Sequence, residues 1–366
     1  MTERTLLESR SSVGQEIVSQ PEVWAAAWRR LQDSRDRLSD LLASQCWDAL
    51  FFTGSGSSHY LSLAAANLHQ QLTGQRTLGI PSSEIALFPT GVYPDIIGQQ
   101  ILLVAVSRSG ETTETLWAAA EQQRRHLPVL AITCDGQSGL AARSNVTVAI
   151  EEAAEPSVPQ TRSFTSMFLA TQYVAGLSAG NEDFLHALEQ LPGKAREVLD
   201  RHANLLAEVA DIAWDHVIFL GSGPFYGLAN EGMLKLKEMA LSASEAYHFL
   251  EFRHGPISLV DARTLVIGLL SDTAADAERA VLARVNELGG QTMVIGERPE
   301  GLLPATYPIA LESGLHELAR APLYVLPLQL LAYDTALARG LDPAQPRHLE
   351  RAVVLAEPQP AGRGAA

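Results

Sequence analysis

Several things are scarce in this 366-residue chain, and each scarcity excludes a class of protein. Cysteine is nearly absent: only Cys46 and Cys134 occur, with no C-x-x-C spacing. That fits a reducing cytoplasm and argues against a disulfide scaffold or a thiol-based redox centre, so both read as half-buried small apolar residues. Positive charge is in deficit, with 27 Lys and Arg against 42 Asp and Glu and a net charge of −15. Such a field repels nucleic acid and anionic membrane, so neither is an expected partner. Long apolar runs are missing too. The longest nearly apolar stretch, APLYVLPLQLLAY (321–333), is too short to span a bilayer and carries two prolines. The first residues, MTERTLLESRSS, are followed by no apolar run, so a secretory signal is not expected.

Catalytic signatures are missing as well. Neither GSG segment completes a G-x-G-x-x-G fingerprint, because His59 and Tyr226 occupy the last position, and no G-x-x-x-x-G-K-[ST] loop occurs. Dinucleotide binding and nucleoside triphosphate hydrolysis are therefore disfavoured. His248, Glu251 and His254 lack H-E-x-x-H spacing, so no metal is expected. No serine sits in a G-x-S-x-G elbow, which disfavours covalent acyl chemistry.

What is present is a strand–turn–helix alternation. Residues 1–47 read as a helical segment, with Trp24, Trp28, Leu31, Leu38, Leu41 and Leu42 at helix-like spacings. DALFFTGSGSS (48–58) is an apolar strand that enters a Gly/Ser turn and then a helix from about Ser57. QQILLVAVSRSG (99–110) repeats the arrangement before the helix TETLWAAAEQQRR, and further strands are expected at 127–133 and 145–150. DHVIFLGSGPFYGLANEGMLKL (215–236) echoes the stretch at 48–68, with GSG recurring 167 residues later. Strands at 263–270 and 291–296, an alanine-rich helix (273–288) and a last helix (about 315–339) complete a second unit. The pattern predicts two α/β halves with parallel sheets covered by helices on both faces. A helical segment near 163–209 joins them. The halves span 48–200 and 201–345, and 346–366 forms a C-terminal tail, loose over its last ten residues. They are unequal: where the first has a Ser/Gly-rich turn after its second strand, the other reads LLSDTAAD (269–276).

Three places concentrate chemistry. GSGSS (54–58) and SRSGETTE (107–114) put hydroxyls where helices begin. Free N–H groups and the positive dipole end there suit a phosphate without many cations. On the segment 230–247, read as one helix, Glu231, Lys235 and Glu238 follow i, i+4, i+7 spacing and share a face among apolar residues. Buried there, they would have shifted proton affinities useful for proton transfer; exposed, they would be ordinary Glu–Lys pairs. Finally LEFRHGP (250–256) places His254 before Gly-Pro, at the end of an element.

Taken together, GSGSS, SRSGETTE, SVPQTRSFTSM (157–167), EGMLKLKE (231–238), EFRHGP (251–256) and QPRHLERAVV (345–354) resemble the sugar isomerase (SIS) domain family. The resemblance includes the isomerase half of glucosamine-6-phosphate synthase and stand-alone amino-sugar-phosphate deaminase/isomerase relatives. The motifs run in the family's order over about five sixths of the chain. The resemblance implies two flavodoxin-like three-layer halves and a homodimer. It assigns the sugar phosphate to Ser58, Ser107, Arg108, Ser109 and Thr112, with Arg108 where the synthase has glutamine, and it makes Ser57, Ser163 and Arg351 possible pocket residues. Glu238 becomes the base moving a proton between C1 and C2, Lys235 assists at the sugar oxygens, and Glu231 orients the site. His254 would open the ring from across the subunit interface. No cofactor is implied. The synthase's glutaminase domain has no counterpart, so ammonia from glutamine is not expected. Arg351 stands where the synthase carries lysine, and a guanidinium cannot act as a neutral amine base. The implied activity is deamination of glucosamine 6-phosphate or an epimer to the ketose phosphate; the alternatives are a fructosamine-6-phosphate deglycase and a non-catalytic sugar-phosphate sensor.

Overall fold

A computed structural model describes residues 11–93, 98–302 and 305–355. Two five-stranded sheets organise them. The first contains β1 (Ala49–Gly54), β2 (Thr77–Pro81), β3 (Ile101–Ser107), β4 (Val129–Thr133) and β5 (Val146–Ala149), in the order β2-β1-β3-β4-β5. The second contains β6 (His216–Gly221), β7 (Ser244–His248), β8 (Thr264–Leu269), β9 (Gln291–Gly296) and β10 (Tyr307–Ala310), in the order β7-β6-β8-β9-β10. Every pair is parallel. Each sheet therefore has the doubly wound order 2-1-3-4-5, with its switch point between the first and third strands of its half.

The principal helices are α1 (Ser12–Val18), α2 (Gln20–Asp33), α3 (Arg35–Ala43), α4 (Ser57–Thr73), α5 (Thr113–Arg124), α6 (Arg162–Ala179), α7 (Leu191–Ala210), α8 (Pro224–Ala240), α9 (Ala275–Glu287) and α10 (Val325–Ala338). The central strands β1, β3, β4 and β8 are buried at every position, which is why they read as unbroken apolar runs. One apolar core runs through both halves, including Phe52 and Phe168 of the first and Phe219, Leu228 and Leu328 of the second. Helix α4 packs on α8, its counterpart in the repeat, and α10 packs on α7 and α8. Gly227 makes the α4–α8 approach possible: a Cβ there would lie 2.5 Å from the Tyr60 carbonyl oxygen and 2.6 Å from the Ala64 nitrogen.

The repeated GSG is a geometric device. At Gly54 a Cβ would come within 2.6 Å of Ser58, and at Gly221 within 2.3 Å of the Phe225 oxygen. Gly56 and Gly223 start α4 and α8 with φ of 58° and 55°, a region that disfavours side chains.

The segment 230–247 is not one helix. Helix α8 stops at Ala240, Leu241 adopts a left-handed φ of 51°, and Ser244–His248 pairs with β6 as β7. The Ser244 hydroxyl donates to the Met233 carbonyl at 3.0 Å, so the chain folds back over its own helix. The expected helix at 315–339 divides into the short turns Glu317–Arg320 and Ala321–Tyr324 followed by α10. Neither cysteine is half-buried: Cys46 is exposed and Cys134 buried. Residues 346–355 lie within the description, whereas the expected loose tail, 357–366, lies outside the described residues. Among the described residues no helix is long and apolar enough to cross a membrane.

Candidate active site

The carboxyl ends of β1 and β3 flank the switch point of the first sheet, and a small polar hollow lies there. It is lined by Ser55 and Ser58 from the first turn and by Ser107, Arg108, Ser109, Thr112 and Thr115 from the second. Val106, Gln160 and Arg351 complete it. The serines are set to donate. The Ser107 Oγ accepts the Gly110 N–H at 3.1 Å, and the Ser109 Oγ accepts the Glu111 N–H at 3.2 Å. Each hydroxyl proton is thereby left for an acceptor in the hollow. Helices α4 and α5 both begin at its edge, adding the positive ends of their dipoles.

Arg108 is present but largely committed. It is 4 % exposed, and its guanidinium donates to Glu155 Oε1 (3.3 Å), to the Ser157 carbonyl (3.0 Å) and to the Arg351 carbonyl (2.9 Å). Glu155 is the hub of this wall. It also accepts the Thr161 N–H at 3.1 Å, the Thr161 hydroxyl at 2.9 Å and the Ser163 hydroxyl. Ser163 therefore faces Glu155 and is not among the residues lining the hollow, whereas its neighbour Gln160 is, with a buried, unpartnered Oε1. The C-terminal segment lies along the start of α5: the Thr113 N–H donates to the Val353 carbonyl (3.2 Å), and the Leu355 N–H to the Thr113 hydroxyl (2.9 Å). This holds Arg351 at the rim.

The second half contributes α8, and with it a buried acid–base cluster. Lys235 Nζ lies 3.3 Å from Glu231 Oε1 and 2.5 Å from Glu238 Oε2, and it donates to Ser57 Oγ at 3.1 Å. Glu231 and Lys235 are closed to solvent, while 16 % of the Glu238 side chain is open. Burial works against the charge on Lys235, yet Glu231 and Glu238 outweigh it and hold the ammonium protonated. Glu231 responds in the opposite sense. Burial, aided by repulsion from Glu238 and opposed by Lys235, pushes its carboxyl up to about 8. Apart from the 3.3 Å ion pair with Lys235, neither of its oxygens meets a partner in good hydrogen-bond geometry. Lys235 thus makes its tighter ion pair with Glu238, beside the Glu231 carboxyl that burial holds largely protonated near neutral pH.

The Lys235–Ser57 contact joins the cluster to the helix start that borders the hollow. Tyr60 stands near by: burial and the charges of Glu231 and Glu238 raise its phenol. Its place is not legible in the sequence, and neither are those of Thr115 and Glu155, whereas Ser55 and Gln160 lie inside the motifs GSGSS and SVPQTRSFTSM. His254 sits, exposed, at the end of the turn Glu251–Arg253, as Gly-Pro implies, and is not among the residues lining the hollow. Among the described residues, no three His, Cys, Asp or Glu side chains gather as a metal site.

Comparison with known proteins agrees with this architecture. The family model described as "SIS domain" matches twice, over residues 45–176 and 212–339. The chain belongs to the SIS domain family. Glutamine–fructose-6-phosphate aminotransferase (isomerizing) of Pyrobaculum aerophilum is 32% identical over 358 residues, covering 93% of this chain and 57% of that protein. The Escherichia coli K12 protein of that name is 32% identical over 266 residues, or 69% of this chain and 44% of its own length. The chain thus spans about half the length of these relatives and corresponds to their isomerase half. Among solved structures, glucosamine-6-phosphate deaminase of Thermotoga maritima matches with a TM-score of 0.77 at 29% identity, over 94% of this chain and 100% of that one. A tagatose-6-phosphate ketose/aldose isomerase of Escherichia coli shares the fold, with a TM-score of 0.82 at 20% identity over 96% and 98%.

Proposed function

We propose that this phosphosugar isomerase-type protein is an amino-sugar-6-phosphate deaminase, converting glucosamine 6-phosphate or an epimer to the ketose 6-phosphate and ammonia in the cytoplasm. The observation that carries the reading is the Lys235–Ser57 hydrogen bond, which sets an acid–base cluster against a turn built to donate to a phosphate. The similarity to the Thermotoga maritima deaminase supports the choice of an amino sugar.

In this reading Ser58, Ser107, Ser109 and Thr112 hold the phosphate, and Arg108 shapes the wall through Glu155. His254, supplied by the second subunit of a homodimer, assists ring opening. Glu238 then removes the C2 proton of the open aldose and returns it to C1, while O1 takes up a proton and the amino nitrogen gives one up, leaving a hydroxymethyl at C1 and an imine at C2. Water adds to that carbon, the C–N bond breaks, and ammonia and the ketose leave. Lys235 sits within reach of the developing charge on the sugar oxygens, and protonated Glu231 can donate to them. This route needs no cofactor.

The test is a panel of phosphorylated sugars given to the purified protein. Release of ammonia and ketose phosphate from a hexosamine 6-phosphate is expected. Amino acid release from a fructosamine 6-phosphate alone would make it a deglycase, and tight binding with no product would make it a sensor.

A further inference from the structure

The two halves share one topology, so the second sheet also has a switch point where a ligand would be expected, between β6 and β8. Its counterpart residues follow from strand register. Thr53, one residue before the first GSG, pairs with Ala105, and Leu220, one residue before the second, pairs with Gly268. Counting on from that match, Ser107 becomes Leu270, Arg108 becomes Ser271, Ser109 becomes Asp272, and Thr115 becomes Glu278. Three hydroxyls are lost and one is gained, Asp272 brings a carboxylate that pairs with Arg320, and Glu278 brings a second, buried one.

That carboxylate turns back into the turn. Glu278 is 1 % exposed, and its Oε2 accepts the Ser271 N–H at 2.7 Å and the Ser271 hydroxyl at 3.1 Å. Burial pushes the Glu278 carboxyl up, while hydrogen bonds from Ser271 and from Ser222, the middle residue of the second GSG, act in the opposite sense. Its other oxygen, Oε1, is buried with no partner. Helix α9 starts just beyond, behind Ala274, which offers no side-chain cap; the Ala274 N–H donates to the Ser271 hydroxyl at 2.9 Å, and that hydroxyl in turn donates to Glu278.

We infer that the second half carries a duplicate oxyanion site occupied by the chain's own Glu278, and that a phosphate-sized oxyanion binds there once this carboxylate is removed. The inference rests on reading the first hollow as a phosphate site. It explains why one fold serves two ends: the first half binds the phosphate, while the second has its site closed and delivers α8. Each chain then takes one sugar phosphate.

The test uses inorganic phosphate and thermal unfolding of the full chain, with potassium chloride at equal ionic strength as control. Phosphate should raise the midpoint of the wild-type chain by a few degrees. The double variant Ser109→Ala, Thr112→Ala should lose that rise, and adding Glu278→Thr, which restores the first half's residue, should bring it back. A folded triple variant that ignores phosphate overturns the inference. If Glu278→Thr does not fold in chloride, the second arm is refolding: rescue by phosphate but not by chloride supports the inference, and rescue by neither overturns it. A wild-type chain indifferent to phosphate counts against the first-half reading alone, and the gain or its absence in Glu278→Thr still decides the second.

Discussion

At the scale of single residues the cluster on α8 makes two predictions. Glu238 is the member with an open edge, and its partner Lys235 is closed to solvent. A positioned general base contributes about 10²–10⁴-fold to rate. Glu238→Gln should therefore lower kcat by about that factor while phosphate binding, read from ligand-induced stabilisation, is unchanged. Wild-type turnover in this variant would refute the assignment. The second concerns Glu231, whose carboxyl is raised from an ordinary 4.5 to about 8 by burial. Between those values the folded chain keeps a proton that the unfolded chain has released. Folding then takes up protons, so stability falls as pH rises through this window. Glu16, raised to about 7 by burial and by Glu155, acts in the same sense, so the informative quantity is a difference between variants. Glu231→Gln should flatten part of the wild-type decline and exceed the wild type in stability near pH 8. Calorimetric midpoints between pH 5 and 9 check this, and parallel curves would refute it.

At the scale of elements, the packing of α4 on α8 sets the distance between hollow and cluster. Gly227→Val would place side-chain atoms where the Tyr60 and Ala64 backbone lies, and overpacking of this kind costs about 1–3 kcal/mol. The helices should separate and the Lys235–Ser57 contact lengthen, so kcat should fall together with the denaturation midpoint. A stability loss with kcat intact would show that the approach is not needed for chemistry. The same scale explains what was legible in the sequence. The inner strands announced themselves because parallel strands buried on both faces are apolar throughout. Strands β2, β7 and β10 were not expected. They are short edge strands reading TLGIP, SEAYH and YPIA, with one neighbour each and mixed burial. The same weak signal makes the helix expected over 230–247 longer than α8: SASEAY carries no breaker, and the helix ends through the backbone conformation of Leu241. The hydroxyl turns and the Glu–Lys–Glu spacing were visible because they are local. Glu155, Tyr60 and Ser57's bond to Lys235 depend on contacts across the fold, which local spacing does not encode.

At the scale of the whole molecule, the unplaced component is His254. It is exposed on its own chain, in a loop where Leu250 and Leu259 are 50 % and 42 % exposed. If a second subunit covers this loop, each active site combines Glu238 of one chain with His254 of the other, and the two defects should complement. Glu238→Gln and His254→Asn homodimers would each be inactive, since every site in them lacks one of the two groups. In a mixed dimer one site carries both defects and the other carries neither. Random assembly of equal amounts makes half the dimers mixed, so about a quarter of the wild-type activity should return per chain. The measurement is ammonia release before and after the variants are denatured together and refolded. Recovery near this level requires a shared site, whereas no recovery in a sample shown to contain mixed dimers would place His254 in its own subunit's site or outside the chemistry.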